Sequence, residues 1–542
     1  MQPIISAEQM RNIDRLTVTH HQITSLQLMQ NAARACFQEI TNSFSGNLAG
    51  KKALILCGPG NNGGDGAALA LELANASVQT HVVLFGALEN SRDDARRYFE
   101  KVRDLVAPSL RFSECRSVEE WNEIRADDGF DLIVDALFGT GLTRPLSDLF
   151  STVVEHLRQI RSQSPERPLI VSVDIPSGLN ADLATPIGPA THADLTVTFT
   201  APKAANVLPP ASHLNGRLVV ADIGSPAQLL ESLDSKLLLI EKLDAIKWLV
   251  DTRYTPDSFK NRHGHVLVIA GSKGYTGAAV LCGNAAMRSG AGLVTIATPA
   301  SAQPSVAATA MSEIMTTSLA ETDRGVVSDE AIAHVNRLAS RASVIAIGPG
   351  LTSSDERTRQ FVHSIVKHRK TPVVIDADAL NCLAPWPDDI EGSSEAPLIL
   401  TPHPGEMLRL LGADDKSTLE DRVTVAREFA TRHKVILVLK GSPALIATEG
   451  RVFINPTGNA GLGTAGSGDT LTGIIAGFVA QTVTVSNSTA AVLDATVAAL
   501  YVGGLAGDLA ARELGMRSMV ASDIREHLGR AICSLDPEGE RP

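Results

Sequence analysis

Two glycine-rich turns and a scatter of strand-end acids are where this chain could do chemistry. One turn is TAGSGDTLTG (464–473), in which Gly466 and Gly468 permit close backbone approach ahead of an apolar helix. The amides of Ser467, Gly468 and Asp469 could point at an anion from the start of that helix. Asp469 is badly placed to bind phosphate but well placed to deprotonate a hydroxyl attacking one. That is the arrangement expected of phosphoryl transfer, where positioning and electrostatics do most of the catalysis. Taken alone, the turn is equally a tight bend with Asp469 as a helix cap. The accompanying loops favour the chemical reading. GSKGYTGAA (271–279) and GPG (348–350) end strands in glycine, and DADALN (376–381) brings two carboxylates to another strand end. His403 is pinned between Pro402 and Pro404, and Lys440 directly follows the strand VILVL, where it could meet a phosphate. As a set these describe a nucleotide site without a Walker motif.

The other turn, GPGNNGGDG (58–66), joins the strand ALILC to the helix AALALELA. Gly58, Gly60 and Gly63 satisfy G-x-G-x-x-G, the dinucleotide fingerprint. Two features oppose its ordinary version. Gly86 ends the second strand where an acidic ribose ligand belongs, and Asp65 would repel a pyrophosphate. Asn61 and Asn62 suit a ribose, an amide or a cation. Asp135 in VDALFGTG and Asp174 in VDIPSG are strand-end carboxylates, with Ser177 three residues after Asp174. Partial burial there would make an acid or base. GTGLTRP (139–145) is a loop able to wrap a polar ligand.

The elements that must hold these residues repeat one pattern: a short β-branched run, a Gly or Pro, then a helical stretch. The runs 53–57, 81–85, 131–139 and 169–178 form one set; 265–271, 343–350, 372–381, 398–406 and 435–441 form another. Near-continuous apolar strands alternating with helices predict parallel sheets covered on both faces, with ligands at their carboxyl ends. The first 40 residues read as two amphipathic helices. The seam falls between Asp222 and Pro256, giving domains 1–235 and 236–542.

Composition narrows the function classes. The chain has 542 residues, 44% hydrophobic and 20% charged, with a net charge of −12. That profile excludes general disorder and argues against a nucleic-acid partner, which would want a basic face. Six cysteines without C-x-x-C spacing fit reduced thiols in the cytoplasm. The N-terminus carries charges where a signal peptide needs an apolar core, and the apolar stretch 470–493 is interrupted by polar residues, so no membrane partner is expected.

The run LMQNAARA, then GPGNNGGDG, DALFGTGL and VDIPSGL, resembles the NAD(P)H-hydrate epimerase domain over most of residues 1–225. The segments GSKGYTGAAVLCGNAAMRSGAGLV, IGPGL, IDADALN, TPHPGEM, LKG, TAGSGDTLTGI and VASDI resemble the ADP- or ATP-dependent NAD(P)H-hydrate dehydratase domain over nearly all of 256–530. The resemblance implies an α/β protein of two domains, a Rossmann-like three-layer sandwich followed by a ribokinase-like one. In the first domain it implies that Asn61, Asn62, Gly63, Gly64 and Asp65, with Gly139, Thr140, Gly141, Leu142, Thr143, Arg144 and Pro145, contact the hydrated nucleotide. Asn62, Asp135 and Ser177 would hold potassium, and Asp174 would touch the substrate and move a proton. In the second domain Ala278, Gly350, His403 and Asp469 would face the hydrated nicotinamide nucleotide. Lys440, Gly441, Ser442, Pro443, Ala444 and Gly468 would bind ADP or ATP, used with magnesium. An assembly of identical chains is also expected. Four residues depart from the family pattern: Ala33 and Thr352 stand for Gly, Ala444 for a common Thr, and Gly503 where many members carry His. The competing readings are a small-molecule kinase with a regulatory N-terminal domain, a nucleotide sensor and an ordinary NAD dehydrogenase.

Overall fold

In the first half, alternate residues of each apolar run enter different cores. Ile55 and Cys57 pack into one buried cluster, while Leu54 and Leu56 pack into another on the opposite sheet face. A strand buried on both sides needs helices on both faces, which parallel crossovers supply. The computed structural model describes residues 1–538 apart from 106, 126–128 and 164–166. It divides into two compact units, Pro3–Ser235 and the chain from Lys236 on, which Met1–Gln2 joins.

The first unit carries β1 (Lys52–Cys57), β2 (Gln79–Phe85), β3 (Leu110–Cys115), β4 (Leu132–Ala136), β5 (Leu169–Val173), β6 (Leu195–Phe199) and β7 (Arg217–Ala221). Their order is β3-β2-β1-β4-β5-β6-β7, all parallel. The order reverses between β1 and β4, which is where an open α/β sheet leaves a crevice for ligand. The loops after β1, β4 and β5 therefore meet, bringing together three acids distant in sequence. Helices α1 (Ala7–His20) and α2 (Ser25–Ser43) precede the sheet, each begun by a capping box, Ser6 with Gln9 and Thr24 with Gln27. Helix α3 (Asn61–Asn75) leaves β1 directly.

The second unit carries β8 (Leu237–Leu239), β9 (His265–Ile269), β10 (Leu293–Pro299), β11 (Met315–Leu319), β12 (Val344–Ile347), β13 (Val373–Ile375), β14 (Leu398–Leu400), β15 (Ile436–Leu439), β16 (Ala444–Thr448) and β17 (Arg451–Asn455). They lie in the order β8-β17-β16-β15-β14-β13-β12-β9-β10-β11. The sheet is not wholly parallel, which corrects the pattern expected from the apolar runs. β16 runs antiparallel to both β15 and β17. The four residues between Leu439 and Ala444 are too few for a crossover helix, so the chain turns back on itself. Segment 440–444 is thus a hairpin turn. The order reverses again between β12 and β9, where Gly271 N–H donates to Pro349 O at 2.7 Å and joins the two glycine loops.

Helices α4 (Thr276–Arg288), α5 (Pro404–Leu411), α6 (Ser467–Val483) and α7 (Thr489–Leu514) cover this sheet edge and its core. A Cβ at Gly473 of α6 would lie 2.1 Å from Cys282 O, so only glycine lets α6 and α4 approach this closely. α7 is long and apolar enough to cross a membrane, yet Val492, Ala495, Ala499, Val502 and Ala506 of it are buried in the core.

Candidate active sites

In the first unit the carboxyl ends of the strands open onto a cavity of about 830 Å³. Asn61, Asn62 and Asp65 line it from α3, Gly139 through Leu142 from the β4 loop, and Asp174 from the β5 loop. Helix α1 adds Asp14, and α2 adds Met29. Gly63 and Gly64 are buried under the cavity. A Cβ at Gly63 would lie 1.8 Å from Gly58 O, and one at Gly64 would strike Ala95 and Met29. Only glycine fits at either position as the loop is packed. Thr143, Arg144 and Pro145 continue the loop as exposed residues beyond the lining.

Asp174 adopts a left-handed backbone (φ 65°) just past β5, and no helix follows for it to cap. Its Oδ1 accepts from Lys203 Nζ at 2.7 Å and from Thr198 Oγ1 at 2.9 Å. Lys203 is wholly buried and also donates to Thr198 Oγ1 and Phe199 O. The pair keeps Asp174 beside a fixed positive charge. Asp65 and Asp14 have no such partner among the described residues. Burial pushes the Asp65 carboxyl well above its ordinary range, with Asp174 and Asp14 adding repulsion. Burial likewise lifts Asp14 to about 6, opposed by Lys203 and reinforced by Asp174. The cavity thus holds two carboxyls whose ionisation burial resists, Asp65 the more strongly, beside one paired with an ammonium. Environments that separate acids in this way assign donor and acceptor roles.

Asp135 stands behind the cavity, fully buried. Ser172 Oγ donates to it at 3.0 Å, Ser177 N at 2.9 Å and Ser177 Oγ at 2.5 Å. Burial outweighs these bonds and raises its carboxyl above the usual value. Among the described residues no Lys or Arg pairs with it. Asn62 packs over Gly139, where a Cβ would come 3.0 Å from Asn62 Oδ1, and its Nδ2 is buried without a partner.

In the second unit Gly466 takes φ 83° and caps α6, so the amides of the next three residues open the helix. Gly468 itself is helical; its lack of a side chain matters for space. A Cβ there would lie 3.2 Å from Lys440 Nζ and 3.6 Å from Asp376 Oδ2. Lys440 Nζ donates to Asp376 Oδ1 at 2.7 Å and stands 3.8 Å from Glu406 Oε2. Burial alone would lower the Lys440 ammonium, but Asp376, Glu406 and Asp469 raise it overall. Conversely, burial would raise Asp376, and Lys440 holds it below the ordinary range. Both shifts keep the pair ionised. Asp469 is lifted to about 7 by burial first and by Asp376 next, with Lys440 opposing. Such a carboxyl is poised to accept a proton near neutrality.

His403 caps α5, its Nδ1 accepting from Gly405 N at 3.0 Å and Glu406 N at 3.3 Å, while Glu406 Oε2 accepts from His403 N. Ala278 meets Gly350, where a Cβ would lie 3.1 Å from the alanine Cβ. Thr352 takes φ 69°, a conformation natural to glycine, held by its N–H to Asp378 Oδ2 at 2.9 Å and by Ser272 Oγ at 3.2 Å from its hydroxyl. Ala444 begins β16, and Gly503 lies within α7 facing Leu471 and Ile474. The structure gives no reason for the alanine at 444.

Four site residues escaped the sequence reading: Lys203, Asp14, Glu406 and Thr472. Lys203 follows the strand LTVTF by four residues, and the apolar run was the available signal. Asp14 faces the cavity from α1, among residues read only for their apolar stripe.

Residues 25–205 match the family described as YjeF-related protein N-terminus, and 266–530 match that described as NAD(P)H-hydrate dehydratase. The chain is 39% identical to the bifunctional NAD(P)H-hydrate repair enzyme Nnr of Moorella thermoacetica, over 99% of this chain and 98% of that one. It is 32% identical to the Escherichia coli K12 protein of the same name, over 94% of this chain and 90% of that one. A solved ADP/ATP-dependent NAD(P)H-hydrate dehydratase from Bacillus subtilis, co-crystallised with ATP and magnesium, is 29% identical and covers 55% of this chain and 99% of its own, with a TM-score of 0.46. Similarity through both halves to enzymes of one kind sets aside a kinase carrying a regulatory domain. With an epimerase unit and a dehydratase unit in one polypeptide, the chain belongs to the bifunctional NAD(P)H-hydrate repair enzymes.

Proposed function

We propose that Asp469 is the base of the dehydratase and that Asp174 moves the proton in the epimerase. The carrying observation is the setting of Asp469: a carboxyl lifted to about 7, in the first turn of α6 and beside the partly buried ammonium of Lys440. Asp469 takes the proton from the hydroxyl of the hydrated ring as its oxygen attacks the terminal phosphorus of ADP or ATP, breaking the bridging P–O bond and releasing AMP or ADP. The ring nitrogen then expels phosphate and the neighbouring ring carbon loses a proton, restoring the reduced nicotinamide. Phosphorylation converts a poor leaving group into a good one. Lys440 and the amides of Ser467, Gly468 and Asp469 oppose the phosphate charge. The turn 440–444 carries the adenine nucleotide, and Ala278, Gly350 and His403 line the side facing the hydrate. Magnesium would arrive on the nucleotide's phosphates.

In the first unit Asp174, held by Lys203, accepts the substrate proton, and neutral Asp65 is the nearby donor. Potassium fits behind this pocket. A buried Asp135 without a cationic partner, Ser177 Oγ and the Asn62 amide form an oxygen-bearing set suited to a hard cation. The ion's charge would order the loops carrying Asn62 and Ser177. Gathering both epimers into one route explains why the two units share a chain. The acidic charge balance and free cysteines support a cytoplasmic setting, and we infer an assembly of identical chains from the family resemblance.

The test is recovery of reduced-nicotinamide absorbance from a mixed-epimer hydrate, with ADP or ATP, magnesium and potassium. Nucleotide-dependent recovery of both epimers supports the proposal. Recovery without nucleotide, or none with either, contradicts it.

A further inference from the structure

The Asp376 carboxylate joins two otherwise separate parts of the dehydratase site. Its Oδ1 accepts from Lys440 Nζ at the end of β15, and its Oδ2 accepts from Thr472 Oγ1 of α6 at 2.7 Å. Asp376 is 1% exposed, and Thr472 is fully buried. One carboxylate therefore ties the lysine of the nucleotide turn to the helix that presents Asp469 one turn earlier. Gly468 sits between them with no side chain to separate the lysine from the acid.

We propose that Asp376 is the positioning residue of the dehydratase, fixing Lys440 and Asp469 relative to each other for phosphoryl transfer. The inference rests on the assignment of Asp469 as base. Asp376 touches neither substrate in this scheme; it acts through Lys440 and through α6. Lys440 is largely enclosed, with its side chain 20% exposed, so leaving its ammonium unpaired would be costly and the carboxylate holds it in place. Tethered, it stands ready to meet phosphate without reorganisation. The charged groups facing Asp469 are Asp376 and Asp378 after β13, Lys440 after β15 and Glu406 of α5. Three are negative and one positive, so the tether also governs how easily Asp469 loses its proton. Neutralising Asp376 removes one repelling charge and releases Lys440 from its pairing. Both changes favour ionised Asp469.

The experiment uses the full-length enzyme with Asp376→Asn, Lys440→Met, the double variant and Thr472→Val. A cooperative thermal unfolding transition of the second unit in each variant reports that it is folded, because epimerase activity reads only the other unit. Asp376→Asn is expected to lower dehydratase kcat about 100-fold, the scale of a misplaced catalytic group. Its acid limb moves to lower pH than in the wild type. The double variant is no slower than Lys440→Met, because residues acting through one another are non-additive. Thr472→Val, which removes only the second anchor, lowers kcat about 10-fold, as expected for one lost hydrogen bond to a charged group. An unmoved acid limb in Asp376→Asn, or multiplicative losses in the double variant, overturns the proposal. If Asp376→Asn does not fold, a Thr472→Val enzyme with wild-type kcat overturns it instead. A wild-type enzyme without nucleotide-dependent recovery would refute the base assignment, whereas an active wild type with indifferent variants refutes only the tether.

Discussion

Lys203 Nζ lies 2.7 Å from Asp174 Oδ1 with the lysine side chain wholly buried, so the acid assigned to proton transfer is held by a charge that water cannot reach. Removing one member of such a pair strands the other. Lys203→Met should therefore abolish epimerase activity and destabilise the first unit by about 3–5 kcal/mol. Urea unfolding with parallel assays of both activities checks this; dehydration of the S epimer should survive under native conditions. Lost dehydratase with intact epimerase would contradict the assignment.

The dehydratase should follow the ionisation of Asp469. Its carboxyl is raised to about 7 by burial and by Asp376. The base works ionised, so kcat should climb as pH rises towards 7 and level off above it. Asp469→Asn should remove dehydration at every pH and leave epimerisation intact. A flat profile between pH 5 and 8, in an enzyme limited by chemistry, would show that another group is the base.

Asp14 carries a stability consequence. Its carboxyl sits at about 6 in the folded chain, raised by burial from its ordinary value near 4. A raised acid binds its proton more tightly when folded, so its contribution is most favourable below pH 4 and declines until pH 6. Integrated over roughly two pH units, the loss is about 2–3 kcal/mol. Asp14→Asn should erase this decline and make the first unit more stable than wild type at pH 8. Equal pH dependence in thermal melts of the two proteins would contradict the burial of this acid.

Gly139 tests the potassium reading. A Cβ there would stand 3.0 Å from Asn62 Oδ1, closer than side chains ordinarily tolerate, so Asn62 must shift. Gly139→Ala should raise the potassium concentration for half-maximal epimerase activity about 10-fold, the cost of disturbing the shell around a cation site. An unchanged potassium requirement would remove Asn62 from the set.

The strands and their glycine turns were legible because apolar runs buried on both faces are continuous in sequence. The acids at residues 65, 135 and 174 could be placed at one sheet edge for the same reason. Two things were not legible. The hairpin at 440–444 depends on the brevity of the turn, and its β16 run, ALIAT, lacks the glycine ending that marked other strands. The partners Lys203 and Thr472 are buried polar residues inside apolar contexts, where their meaning comes from acids that reach them only in the fold. Asp376 was visible as one of two carboxylates in DADALN, but its bond to Lys440 spans 64 residues.

The division of labour between the two units is the central claim, and mixing two single-site variants tests it most directly. Asp469→Asn alone should produce no NADPH from a mixed-epimer hydrate with nucleotide present. Asp174→Asn alone should convert the S fraction and then slow to the spontaneous rate. Together they should convert all of the hydrate at a rate set by the remaining active units. A mixture no better than Asp174→Asn alone, or an Asp174→Asn enzyme that consumes both epimers at wild-type speed, would contradict it.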